Sequence, residues 1–102
     1  MCGIFGYFDL NGPEIFYDLG KYSETRGKEA SGYMSFEKNT HTVRKFALPF
    51  SNNQVKLNIL ENQNQNKTYI GHTRLKTHGD EKQDKNNQPV SSKDTLVVHN
   101  GI

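Results

Sequence analysis

Met1-Cys2-Gly3-Ile4-Phe5-Gly6 opens the chain, and Cys2 is its only cysteine. Removal of Met1, which a small following residue permits, leaves Cys2 as the N-terminus. One residue then carries both a thiol and a free α-amine. An α-amine titrates near ~7.7–8.0, so it can take up and return a proton close to neutral pH. A nucleophile served by its own N-terminal amine is one solution to amide-bond chemistry. The competing reading is a structural thiol in a buried first strand, because buried cysteines are common and inert. The rest of the chain decides between the two.

The 102 residues suit one domain at most. Leu, Ile, Val and Phe supply 23 of them, close to the ~20% level below which order becomes doubtful. This composition predicts a marginal core, a partner, or a missing remainder. The net charge of +2 is spread over interspersed signs. No basic stripe interleaves with aromatic residues, which argues against nucleic acid. The longest apolar run is far too short to span a membrane, and no basic segment followed by an apolar one suggests a secretory signal. A single unpaired cysteine excludes an internal disulfide framework and fits a reducing compartment, so a cytoplasmic protein is expected.

Outward from the opening stretch, residues 3–10 are apolar and aromatic and read as a buried strand. Asn11-Gly12-Pro13 turns the chain and starts a helix over residues 14–23, with Ile15, Phe16 and Leu19 at helical spacing. Residues 30–36 and 42–48 read as strands joined by Lys38-Asn39-Thr40, a hairpin. Val55, Leu57, Ile59 and Leu60 suit either a short helix or an alternating strand. Residues 62–67 are a polar loop. Residues 68–73 form a strand that runs into Arg74. Residues 76–92 form a long charged connection, and loops of that length are usually functional or disordered. A final strand is expected over residues 95–99, and Asn100-Gly101 turns the chain.

Five segments carry possible chemistry: Met1-Cys2-Gly3-Ile4, Arg26-Gly27-Lys28-Glu29-Ala30-Ser31-Gly32, Gly71-His72-Thr73-Arg74, Thr77-His78-Gly79, and Val98-His99-Asn100-Gly101-Ile102. Each alone is weak, because an Asn-Gly pair is ordinarily just a turn. Their order and spacing together make the signal. The chain resembles the class II glutamine amidotransferases, whose glutaminase domains use an N-terminal cysteine. The resemblance runs from Cys2 to Ile102 and is densest in residues 71–79 and 97–102. Within the class, Gly71–Gly79 and Val98–Ile102 are most similar to glutamine–fructose-6-phosphate aminotransferases. The segment Arg26–Gly32 leans toward amidophosphoribosyltransferases.

The resemblance implies an α+β fold of the N-terminal-nucleophile hydrolase type, a four-layer α/β/β/α sandwich. It implies that residues 1–102 are only the N-terminal portion of the glutaminase domain, which is about twice this length in the family. The activity implied is hydrolysis of the glutamine side-chain amide, with ammonia passed to an acceptor such as a sugar phosphate. By family analogy Cys2 is the nucleophile. The Asn100 side-chain amide and the Gly101 N–H would hold the oxyanion, a term worth about 100–1,000-fold per donor. Arg74 would bind the glutamine α-carboxylate, for which a guanidinium fork is suited. Thr77, His78 and Gly79 would line the same pocket, and Arg26 and Gly27 would pack behind the nucleophile. No cofactor is implied for this step. The implied partners are L-glutamine and a missing half-domain, acceptor domain or partner chain, with an oligomer open.

Rival readings exist. His41, His72, His78 and His99 could suggest a metal, but no pair has close zinc-ligand spacing, and no metal is expected. Asp80-Glu81 and Asp84 lack the Gly and terminal Glu of a calcium loop. A split, non-enzymatic subunit completed by another chain is the alternative to an enzyme. Three positions depart from the family pattern. Leu75 replaces an aromatic residue that helps close the ammonia route. Gln88 replaces a His of the nearest relatives, and Glu29 stands where Asp is frequent.

Overall fold

A computed structural model describes residues 2–9, 13–37, 39–61, 67–75 and 87–100. Its elements in chain order are β1 (Gly3–Asp9), α1 (Pro13–Ser23), a single 3-10 turn (Glu24–Arg26), β2 (Ala30–Glu37), β3 (Thr40–Phe46), α2 (Asn53–Leu60), β4 (Lys67–Arg74), β5 (Val90–Ser92) and β6 (Thr95–Val97). β1 to β4 form one antiparallel sheet in the order β1-β4-β2-β3, and β5 pairs with β6 as a separate ribbon. The architecture is α+β, as the sequence predicts.

Strand alternation sorts the sheet into two faces. Phe5 lies opposite Gly71, which lies opposite Tyr33, so these share one face with Tyr69 two residues on. Both helices cover that face. Phe16 of α1 is fully buried there, stacked on Tyr69 with ring centres 4.9 Å apart and tilted against Phe5 at 5.0 Å. Phe50 meets Phe5 edge-on at 5.0 Å, and Val55 and Ile59 of α2 complete the core. Among the described residues the core cluster is mainly aromatic, which is how a chain poor in aliphatic residues closes a core.

The buried stripe of α1 differs from the one expected. Phe16 is buried on the sheet as expected, but Ile15 and Leu19 are 50% and 37% exposed, and Tyr17 and Gly20 pack on Phe50 in their place. The ring of Phe50 lies against the backbone of Gly20, so the helix turns its small residue, not Leu19, toward the core. For residues 55–60 the helix reading is the correct one. Asn52 caps α2, its side chain accepting from the Gln54 N–H at 2.9 Å. Asn52→Ala is expected to lower stability by about 1 kcal/mol, read as a small fall in the denaturant midpoint with unchanged slope.

The other face of the sheet carries Ile4, Phe8, Ile70, His72, Gly32 and Met34. The chain from Asn87 onward lies over its β2–β4 part. A Cβ on Gly32 would collide with the Gln88 carbonyl oxygen, so only glycine lets this segment seat so closely. The β5–β6 hairpin follows, and Ser91, Lys93 and Leu96 share a crevice with Phe36 and His41 of β2 and β3. Over β1, Ile4 is 45% and Phe8 72% exposed, with none of the described residues covering them fully. The buried strand expected over residues 3–10 is therefore buried on one face only.

Other boundaries shift in smaller ways. β3 begins at Thr40 and ends at Phe46, two residues earlier than expected at each end. β6 stops at Val97, and the 90–92 part of the expected long loop is β5. The turn expected at residues 11–12, the loop at 62–66 and the stretch 76–86 lie outside the described residues. No helix among the described residues is long and apolar enough to cross a membrane.

Candidate active site

Cys2 sits immediately before β1, which pairs along β4 from Gly3 opposite Thr73 to Asp9 opposite Lys67. Extending this register sets Cys2 beside Arg74, on the sheet face shared by His72. Cys2 as a residue is 5% exposed. Its Sγ accepts the Leu75 N–H at 3.3 Å and lies 3.7 Å from the Leu75 carbonyl oxygen, to which the thiol can donate. The Leu75 peptide groups thus fix the sulfur from two sides.

The turn after α1 closes around the same point. Arg26 donates through Nε to the Cys2 carbonyl oxygen at 3.2 Å. The Gly27 N–H donates to the Glu24 carbonyl at 3.0 Å, and the Glu29 N–H donates to the Arg74 carbonyl at 3.2 Å. Gly27 is extended, so its backbone is unstrained. A Cβ there would collide with the Arg74–Leu75 peptide, lying 2.5 Å from the Arg74 carbonyl oxygen. Thr73 completes the junction by donating its hydroxyl to the Ser23 carbonyl at 2.9 Å. Next to this junction is a cavity of about 710 Å³, lined by Glu24 to Glu29 and Leu75. That volume falls in the range of small-molecule sites, ~300–1,000 Å³.

Arg74 is 6% exposed, and its Nη1 donates to the Asn87 Oδ1 at 2.8 Å. Asn87 is itself fully buried. The guanidinium is therefore held on the side of the sheet where residues 87–100 pack. His72, two residues earlier, is 1% exposed, and its Nε2 lies 3.0 Å from the His99 carbonyl oxygen. Burial holds this imidazole below its ordinary pKa, aided by the nearby Arg74 charge and opposed by the His99 carbonyl bond. A His kept neutral by folding takes up its proton more readily in the unfolded chain. Its share of stability is present above the ordinary imidazole value and is lost as the pH falls through and below it. The His99 N–H in turn donates to the Gln88 Oε1. Asn100 follows, exposed, at the end of the sheet that carries Cys2, because His72 pairs with Ile4.

The structure thus gathers Cys2, Arg26, Gly27 and the Arg74–Leu75 backbone at one junction and ties the Asn100 segment to the same end of the sheet. Thr77, His78, Gly79 and Gly101 lie outside the described residues. Two further residues enter the site: Asn87 as a partner of Arg74, and His72, which the sequence marks through the Gly71–Arg74 segment and as a possible metal ligand but not as a partner of His99. Their signal was weak, since Asn87 stands in a polar run and His72 in an apolar strand. Among the described residues no three of His, Cys, Asp or Glu cluster as metal ligands.

No protein-family model and no solved structure matches the chain. Two curated proteins do. Over 105 residues the chain is 37% identical to the glutamine–fructose-6-phosphate aminotransferase [isomerizing] of Clostridium perfringens (strain 13 / Type A). Over 106 residues it is 40% identical to the enzyme of the same name from Clostridium tetani (strain Massachusetts / E88). The likeness to glutamine amidotransferases carried by the motifs therefore extends over all of this chain, which spans 17% of the length of either relative.

Proposed function

We propose that residues 1–102 are the N-terminal portion of a class II glutaminase domain, and that Cys2, freed of Met1, hydrolyses the glutamine side-chain amide. The observation that carries this reading is the junction at which the Leu75 peptide groups hold the Cys2 sulfur and Arg26 holds the Cys2 carbonyl, next to Arg74 in the strand register. The helix layer, the four-stranded sheet and the ribbon on its far side are consistent with part of a four-layer α/β/β/α N-terminal-nucleophile fold.

The chemistry follows from these groups. The α-amine of Cys2 takes the thiol proton as Sγ attacks the amide carbon. The carbonyl oxygen becomes an oxyanion held by the Asn100 side chain and the Gly101 N–H. Collapse breaks the C–N bond, the α-amine returns the proton to the leaving nitrogen, and ammonia departs. Water then cleaves the thioester to release glutamate and restore the thiol. Arg74 fixes the substrate by its α-carboxylate, with Thr77, His78 and Gly79 along the pocket, and Arg26 and Gly27 support the Cys2 backbone. The relatives' name supports an acceptor of the sugar-phosphate class, hence amino-sugar synthesis in the cytoplasm. This requires an acceptor domain or partner chain beyond these residues.

The test is glutamate release from L-glutamine by the full chain. Arg74→Lys is expected to raise KM about tenfold or more with a smaller change in kcat, because Lys cannot form the bidentate fork. An unchanged KM would remove Arg74 from the pocket. The exposed Ile4 and Phe8 favour a second reading, a subunit that works only when another chain covers this face. Activity that appears only on adding that chain would select it.

A further inference from the structure

The Asn100 segment is gripped on both sides of one residue. The His99 N–H is accepted by the Gln88 Oε1, and the His99 carbonyl accepts from the His72 Nε2. The His99 carbonyl belongs to the same planar peptide as the Asn100 N–H, so fixing it fixes the plane from which Asn100 departs.

Both grips are anchored. His72 stands in the middle of the sheet, paired with Ile4 on one side and Gly32 on the other. Gln88 is flanked by fully buried Asn87 and Pro89. Asn87 holds Arg74 at 2.8 Å, and the Gln88 carbonyl rests on Gly32. Asn100 itself is exposed and lies past the last strand. An exposed residue beyond a strand keeps a fixed direction only when its backbone is held, and a catalytic donor must stay within about 0.5 Å of its productive place.

We propose that His72 and Gln88 are positioning residues that aim Asn100 by clamping the His99 backbone, with Asn87 tying the same clamp to Arg74. This rests on the glutaminase reading, in which Asn100 stabilises the oxyanion. The clamp acts through the oxyanion donor, which is engaged in the transition state more than in the ground state. Its loss therefore lowers kcat and leaves KM for glutamine nearly unchanged.

The experiment measures kcat and KM for glutamate release by the full chain. Gln88→Ala removes one acceptor from a partly exposed position and leaves the core alone. It is expected to lower kcat about 10-fold or more, part of the ~100–1,000-fold that a lost oxyanion donor costs, with KM within about twofold. Gln88→Glu keeps an acceptor oxygen in place and is expected to recover most of kcat. His72→Gln keeps an N–H donor and His72→Leu removes it, so the first is expected to retain more kcat than the second. If both His72 variants unfold, the Gln88 pair decides alone. Unchanged kcat in Gln88→Ala, or a KM that rises in step with the loss, would overturn the clamp while the glutaminase reading stands. A wild-type chain that releases no glutamate would overturn that reading and the clamp with it.

Discussion

Cys2→Ala is expected to abolish glutamate release while leaving the fold unchanged. The loss is total because no other thiol exists in the chain, and the α-amine left behind has no nucleophile to serve. The fold survives because the backbone contacts of Cys2 and β1 do not depend on the sulfur. The Arg26 bond is made to its carbonyl, and Gly3 onward pairs with β4 irrespective of the side chain. The substitution removes one sulfur atom and frees the Leu75 N–H, at a cost of about 1–3 kcal/mol. Circular dichroism and the thermal midpoint report that part, and a coupled glutamate assay reports the other. Residual turnover near the wild-type rate would move the nucleophile elsewhere.

Gly27→Ala is expected to have the largest effect on stability. The position is extended, so alanine is conformationally acceptable there. The obstacle is space. The new methyl would meet the carbonyl carbon and oxygen of Arg74 and the nitrogen of Leu75, all of them backbone atoms in β4 and its exit. A side chain could rotate away, but a paired strand cannot. Inserting a methyl into a packed site costs about 1–3 kcal/mol, and a backbone obstacle belongs at or above the top of that range. For a chain of this size about 3 kcal/mol lowers the melting midpoint by roughly 12–24 °C. The same shift would push Leu75 off the Cys2 sulfur, so the activity of any folded fraction should fall too. Lys28→Ala, one residue on and exposed, provides the control. A Gly27→Ala midpoint equal to that of Lys28→Ala would refute the close crossing.

How far the sequence discloses this molecule depends on which residues carry the pattern. β2 and β3 were legible because Ala30 to Phe36 and the polar turn at Asn39 alternate as a hairpin should. The helix of residues 53–60 was ambiguous, since Val55, Leu57, Ile59 and Leu60 fit both periods. The Asn52 cap is the local feature that decides for a helix. The true face of α1 was hidden because it depends on where Phe50 lies against Gly20, a contact set by tertiary packing. β5 was missed because Val90-Ser91-Ser92 is short, exposed and polar, and exists only as the partner of β6.

At the candidate site, the meeting of Cys2, Arg26, Gly27 and Arg74 was legible through the order of their motifs. The backbone groups that hold the sulfur were not, because Leu75 contributes its peptide and not its side chain. Asn87 and Gln88 were equally hidden, as their roles arise from where a polar segment lands on the sheet.

The central claim is a processed Cys2 with a usable glutamine pocket. The most direct measurement is the intact mass of the chain before and after exposure to 6-diazo-5-oxo-norleucine, a glutamine-shaped alkylator. The account predicts loss of Met1 and a single adduct mapping to Cys2, blocked by excess L-glutamine. A folded, Met1-trimmed chain that takes no adduct would contradict it.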